Sequence, residues 1–159
     1  MVQLTLITVG TLKEAYLVSA ANEYKKRLSA LAAINEYTLK EERIRDENNA
    51  AEVAAALRAE GTRIMEKIPK DAFTVALCVE GDMPDSVQLA KILENGASRS
   101  GKLCFIIGSS HGLSPEVKAA AHYRLSVSRL TFPHQLMRVM LSEILYRSFS
   151  ITAGKHYHK

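Results

Sequence analysis

Lys102-Leu103-Cys104-Phe105-Ile106-Ile107-Gly108-Ser109-Ser110-His111-Gly112-Leu113-Ser114-Pro115-Glu116 holds the pattern that decides the fold. Lys102–Ile107 is a short apolar run and reads as a buried strand. Two glycines bound the polar loop that follows. Ser114-Pro115-Glu116 then opens a helix, because serine can cap it, proline tolerates the first helical position, and glutamate suits the positive end of the helix dipole. Strand, loop and helix in that order form the repeating unit of an α/β protein with parallel strands.

The same alternation extends in both directions. Leu4–Val9 is a short apolar strand closed by Gly10, and Leu17, Ala20, Ala21, Tyr24, Leu28 and Leu31 then recur at helical spacing. Ile34–Leu39 reads as a second strand. A polar stretch, 40–49, leads into an Ala-rich helix over 50–67 that Pro69 stops. Phe73–Val79 is a strand, and Asp85 with Gln88 resembles a capping box opening a helix to Ala97. A strand at Tyr123–Ser126 and a loop at Val127–Thr131 precede a final helix over 133–149. Five strands alternating with five helices predict one α/β domain over 1–159, an open and mainly parallel sheet with helices on both faces. Ligands of such sheets collect beyond the carboxyl ends of the strands, so the loops after Val79, Ile107 and Ser126 are the places to look. Leu136, Met137, Val139, Met140, Leu141, Ile144, Leu145 and Phe149 cover more than one stripe of the final helix. A second copy of the chain, packed through this helix as a homodimer, is the expected cover for the surplus.

With 159 residues, 47% hydrophobic and 24% charged, the chain is long enough and apolar enough to bury a core without staples. Cys78 and Cys104 sit in apolar runs and cannot build a zinc ribbon or a secreted cysteine framework. No stretch approaches the ~18 apolar residues of a membrane span, and the start carries no basic n-region, so a cytoplasmic protein is expected. The net charge of +4 is unevenly placed. Residues 1–98 carry twelve Lys and Arg against fifteen Asp and Glu, whereas 99–159 carry nine against two and hold all five histidines. The C-terminal third is therefore a candidate face for a polyanion such as RNA.

Gly108-Ser109-Ser110-His111-Gly112 matches G-x-S-x-G, the pattern of a hydrolase nucleophile elbow. An elbow turns directly into its helix, but Ser114 and Pro115 delay the helix here, and no aspartate follows Ser110. The two glycines fit either a backbone that approaches a ligand closely or a plain turn. No P-loop and no G-x-G-x-x-G occurs, so nucleotide phosphates have no cradle of those kinds. His156 and His158 form an H-x-H pair without a third ligand, and no metal site is expected. The tail Lys155-His156-Tyr157-His158-Lys159 nonetheless combines cations, an aromatic face and two imidazoles, groups suited to holding phosphate, stacking a base and moving a proton.

Leu125-Ser126-Val127-Ser128-Arg129-Leu130-Thr131-Phe132-Pro133-His134-Gln135-Leu136-Met137-Arg138 closely resembles the ribosomal RNA large subunit methyltransferase H family of the SPOUT superfamily. The resemblance runs nearly the full length, through Ile7-Thr8-Val9-Gly10-Thr11-Leu12-Lys13, Ala76-Leu77, Ile107-Gly108, Leu145-Tyr146-Arg147 and Tyr157-His158-Lys159. It implies an α/β fold with a C-terminal trefoil knot and a homodimer. It also implies S-adenosylmethionine as cofactor, and methylation of N3 of a pseudouridine in 23S ribosomal RNA, on the assembled ribosome. The cofactor residues it implies are Leu77, Gly108, Val127, Ser128, Arg129, Leu130, Thr131 and Phe132. Tyr157 and His158, with His156, are the implied groups over the reacting base, and Arg138 with Arg129 would bind phosphate or the developing imide anion. Two positions depart from the family pattern: Ser109 stands where a second glycine is usual, and Asp82 stands where lysine is common. A basic RNA-binding or ribosome-associated module without catalysis is the competing expectation, which cofactor binding discriminates.

Overall fold

The computed structural model describes residues 1–159. The elements are β1 (Val2–Val9), α1 (Ala15–Leu28), β2 (Ala32–Leu39), α2 (Ala50–Lys67), β3 (Phe73–Asp82), α3 (Ser86–Ala97), β4 (Lys102–Ile107), α4 (Pro115–Ala120), β5 (Tyr123–Leu125) and α5 (His134–Thr152). One sheet runs in the order β2-β1-β4-β3-β5, with every pairing parallel.

Side-chain alternation along the strands sorts the apolar residues into two layers. In β4, Leu103, Phe105 and Ile107 face one core, which Leu28 of α1, Leu89 and Leu93 of α3, and Leu141 and Leu145 of α5 complete. Cys104 and Ile106 face the other, with Ile64 of α2 and Val117 of α4. Both faces of the sheet are covered, which is why β4 reads as unbroken hydrophobicity rather than alternation.

Several boundaries differ from those the sequence predicts, each for a physical reason. α1 stops at Leu28 rather than Leu31, because Leu31 donates back to the Leu28 carbonyl in a turn and β2 begins at Ala32, paired with Val2. Period alone cannot separate a last helical leucine from the first after the helix. β3 continues past Val79 to Asp82, because β5 pairs with it twice: Leu125 sits opposite Leu77 and, after a register shift, opposite Asp82. α3 has the expected capping box, with Asp85 accepting from the Gln88 amide and the Gln88 side chain accepting from the Asp85 amide.

α5 lies between α1 and α3 and buries Leu141 and Leu145 against the sheet. Leu136, Val139 and Met140 are only half-buried, the surplus expected from the sequence. No helix is long and apolar enough to cross a membrane, and no three His, Cys, Asp or Glu side chains gather where they could hold a metal.

Candidate functional site

The carboxyl ends of β3, β4 and β5 open into a cleft of about 490 Å³. Its size lies within the ~300–1,000 Å³ usual for small-molecule sites. Leu77, Ile107, Leu113, Leu125, Phe132 and Met137 supply its apolar lining, and Ser109, His111, Lys118 and His134 its polar groups.

The 108–113 loop forms one wall. Gly112 donates from its amide to the Ser109 carbonyl at 2.9 Å, and the two residues form an isolated antiparallel bridge. A Cβ on Gly108 would stand 2.2 Å from the Gly112 carbonyl oxygen, while Gly112 itself has φ +85°. Both glycines are thus required by the closure of the turn, whose backbone also forms the cleft wall. Ser110 is exposed and its hydroxyl lies 3.4 Å from His111 Nδ1, but the helix begins only at Pro115, capped by Ser114, so there is no elbow.

The 126–133 segment forms the opposite wall and is held by its own serines. Ser126 donates from its amide to the Asp82 carbonyl and from its hydroxyl to the Ser128 carbonyl, and the Ser128 hydroxyl accepts from the Leu130 amide. On the third wall Cys78 faces the cleft as a neutral thiol, pushed up first by burial and then by the nearby Glu80. Glu80 is held below its ordinary value chiefly by its hydrogen bond from Lys118.

Of the residues expected at the cofactor, Leu77, Gly108, Val127, Ser128, Leu130, Thr131 and Phe132 line this cleft together. Arg129 does not line it and is exposed. Arg138 turns the other way, into a separate cavity of about 240 Å³ between α1, α5 and the β1–β2 edge. There its guanidinium donates to the Gly10 carbonyl at 2.7 Å and to the Thr8 hydroxyl at 2.6 Å, and burial lowers its pKa.

The tail is also remote from the cleft of its own chain. The Tyr157 hydroxyl donates to Glu143 on α5 at 2.8 Å, the Arg147 guanidinium covers the Tyr157 ring at 4.7 Å, and Tyr146 meets it edge-on. His158 Nδ1 lies 3.4 Å from the same guanidinium, while His156 is exposed. The bond to Glu143 raises the Tyr157 pKa above 10, so at neutral pH its hydroxyl is a donor and not a base.

Sequence reasoning missed the cleft residues His111, Lys118, His134 and Met137, and it missed Glu60, whose carboxylate is buried behind the 108–113 loop. For Glu60 a signal existed: it stands between Ala56 and Ile64 on the buried stripe of α2.

A family model described as "Predicted SPOUT methyltransferase" matches residues 2–158. The chain is 45% identical over 157 residues to a "Ribosomal RNA large subunit methyltransferase H" of Shouchella clausii, covering 98% of this chain and 99% of the relative. It is 43% identical over 154 residues to a protein of the same name from Caldicellulosiruptor bescii, covering 97% and 98%. Among solved structures, a probable methyltransferase from Bordetella pertussis Tohama I aligns with a TM-score of 0.59 at 15% identity, over 93% of this chain and 96% of that one. At that identity the likeness concerns the fold.

Proposed function

We propose that this chain, which belongs to the SPOUT methyltransferase family and within it to the ribosomal RNA large subunit methyltransferase H group, binds S-adenosylmethionine in the cleft at the ends of β3, β4 and β5 and methylates N3 of a pseudouridine in 23S ribosomal RNA on the assembled ribosome. The observation that carries this reading is the convergence of Leu77, Gly108 and the 127–132 segment, three stretches distant in sequence, on one cleft.

The cleft suits the cofactor. Leu77, Ile107, Leu125 and Phe132 would enclose an adenine ring, and backbone groups of Gly108 and of the 127–132 segment would read its edge. When bound, the cofactor supplies an electrophilic methyl group on a sulfonium. The pseudouridine N3 would exchange its proton for that methyl group, leaving the spent cofactor a neutral thioether. The protein's part is to orient the base and receive that proton. Orientation can contribute up to ~7–11 kcal/mol, more than the ~10²–10⁴-fold typical of a positioned base.

The tail groups suited to the base sit against α5, away from their own cleft, so the active site is completed by a second copy of the chain in a homodimer through α5. His158 and His156 are the proton acceptors, Tyr157 orients or stacks on the base, and the exposed Arg129 answers negative charge on the RNA, whereas Arg138, bound to the Gly10 carbonyl and the Thr8 hydroxyl, holds α5 against the end of β1. Membership of the family carries a C-terminal trefoil knot into the reading as well. A ribosomal substrate goes with a cytoplasmic protein.

Transfer of labelled methyl groups to ribosomes from a strain lacking this protein, followed by nucleoside mass spectrometry, tests the activity. N3-methylated pseudouridine is the expected product, and no incorporation, or a label on another nucleoside, refutes it. A mixture of a cleft-defective and a tail-defective variant regains activity if the site is shared between copies.

A further inference from the structure

Glu60 is the one charged side chain in the interior, 4% exposed, and the chemistry above does not use it. It leaves α2 on the stripe shared with Ala56 and Ile64, where α2 seats so closely on the start of α4 that a Cβ on Gly61 would stand 2.6 Å from the Ser114 hydroxyl. No cation pairs with it, since Arg63, one turn on, is taken by Glu42 and the Lys40 carbonyl. Its two oxygens are each used once. Oε1 accepts from the Ser109 hydroxyl at 3.1 Å and Oε2 from the Glu42 amide at 2.8 Å.

These partners belong to two different segments. Ser109 follows Gly108 in the cleft wall, and its carbonyl closes the turn to Gly112. Glu42 belongs to the polar 40–49 stretch between β2 and α2. We propose that Glu60 is a positioning residue for the cleft: its ionised carboxylate holds the 108–113 loop through Ser109 and the 40–49 segment through Glu42, so that the cleft wall is set by a charge buried behind it. The inference rests on the cofactor occupying this cleft, and it adds a residue that no lining contact reveals.

Ionised acceptors hold donors more strongly than neutral ones, so the tether weakens when Glu60 takes up a proton. Burial raises its pKa above the ordinary 4.5, and the neighbouring Glu41 adds to the rise. The Ser109 bond and His111 oppose the rise. Glu42 is paired with Arg63, and Glu47 of the same 40–49 segment lies 4.0 Å from His111. His111 is the basic side chain that faces Glu60 from the loop.

Calorimetry with S-adenosylhomocysteine and hydrogen exchange of the unliganded protein test the tether together. Ser109→Ala weakens binding about tenfold, the scale of one lost hydrogen bond to a charged group, and speeds exchange across 108–113. In a Glu60→Met background, which leaves Ser109 no acceptor to lose, the same substitution changes affinity by less than about twofold. Wild-type affinity falls as the pH is lowered from neutral, the fall persists in His111→Gln, and Glu60→Gln flattens it. Additive effects in the cycle, or wild-type exchange across the loop in Ser109→Ala, overturn the proposal. A wild-type protein that binds no cofactor refutes the methyltransferase reading instead, while exchange in Ser109→Ala and Glu60→Gln still decides whether the tether exists.

Discussion

Replacing Gly108 with alanine puts a methyl group where the loop already stands. The new Cβ would lie 2.2 Å from the Gly112 carbonyl oxygen, 2.5 Å from its carbon and 2.9 Å from Leu113 Cδ2. Two of these are backbone atoms, which cannot swing aside as the end of a side chain can. Ordinary contact begins near 3.4 Å, so the turn must open by more than an ångström. That movement breaks the 2.9 Å bond from the Gly112 amide to Ser109 and lifts Leu113, now 4% exposed, out of the core. One hydrogen bond contributes about 1 kcal/mol and partial exposure of a leucine about 1–2 kcal/mol, so Gly108→Ala should destabilise the fold by about 2–3 kcal/mol. Urea denaturation measures this as a lower midpoint at constant slope, and titration with S-adenosylhomocysteine should show at least tenfold weaker binding, on the order of one hydrogen bond's worth of lost fit. Gly112→Ala is the informative contrast. It meets no atom within 4 Å and suffers only from φ +85°, so it should cost about 1–2 kcal/mol through backbone strain alone. If Gly108→Ala stays within about 0.5 kcal/mol of wild type and binds the ligand normally, the steric argument for the loop is refuted.

Other substitutions separate the remaining parts of the argument. Ser150 has a fully buried hydroxyl with no hydrogen-bond partner, so Ser150→Ala should raise stability by about 1 kcal/mol; a lower urea midpoint would show that the hydroxyl is satisfied after all. Glu60 has its carboxyl pKa raised by burial, so the stability it contributes is fully present below the unfolded-state value near 4.5 and is lost as pH rises through the higher folded-state value. Wild type should therefore lose stability relative to Glu60→Gln as pH rises from acid to neutral, and parallel urea midpoints across that range would contradict the assignment. Tyr157→Phe removes the bond to Glu143 but keeps the ring under Arg147 and beside Tyr146, so hydrogen exchange should quicken in the tail with little change in global stability. Single-turnover methyl transfer should slow while cofactor affinity holds, and an unchanged rate would remove the Tyr157 hydroxyl from the reaction.

Hydrophobic periodicity and terminal chemistry are local, and what depended on them was legible in the residues. The strand at 102–107, the cap at Ser114 and the capping box at Asp85 follow from side-chain spacing and from which groups can satisfy a helix end. The parallel sheet followed from their order, and with it the rim on which the cleft lies. What the residues in line could not decide is which distant groups meet. Arg138 and Phe132 are six positions apart, yet the first α5 turn sends one to β1 and leaves the other in the cleft. Leu125 meets β3 at two separate registers because β3 bulges toward it, and nothing in the run Phe73–Asp82 announces that. Glu60 reads as an acid on the apolar stripe of an Ala-rich helix, but only the fold brings Ser109 and Glu42 to its two oxygens. Local sequence sets the energy of forming each element, whereas the partners of a polar side chain are set by packing, which assembles residues far apart in the chain within one dry interior.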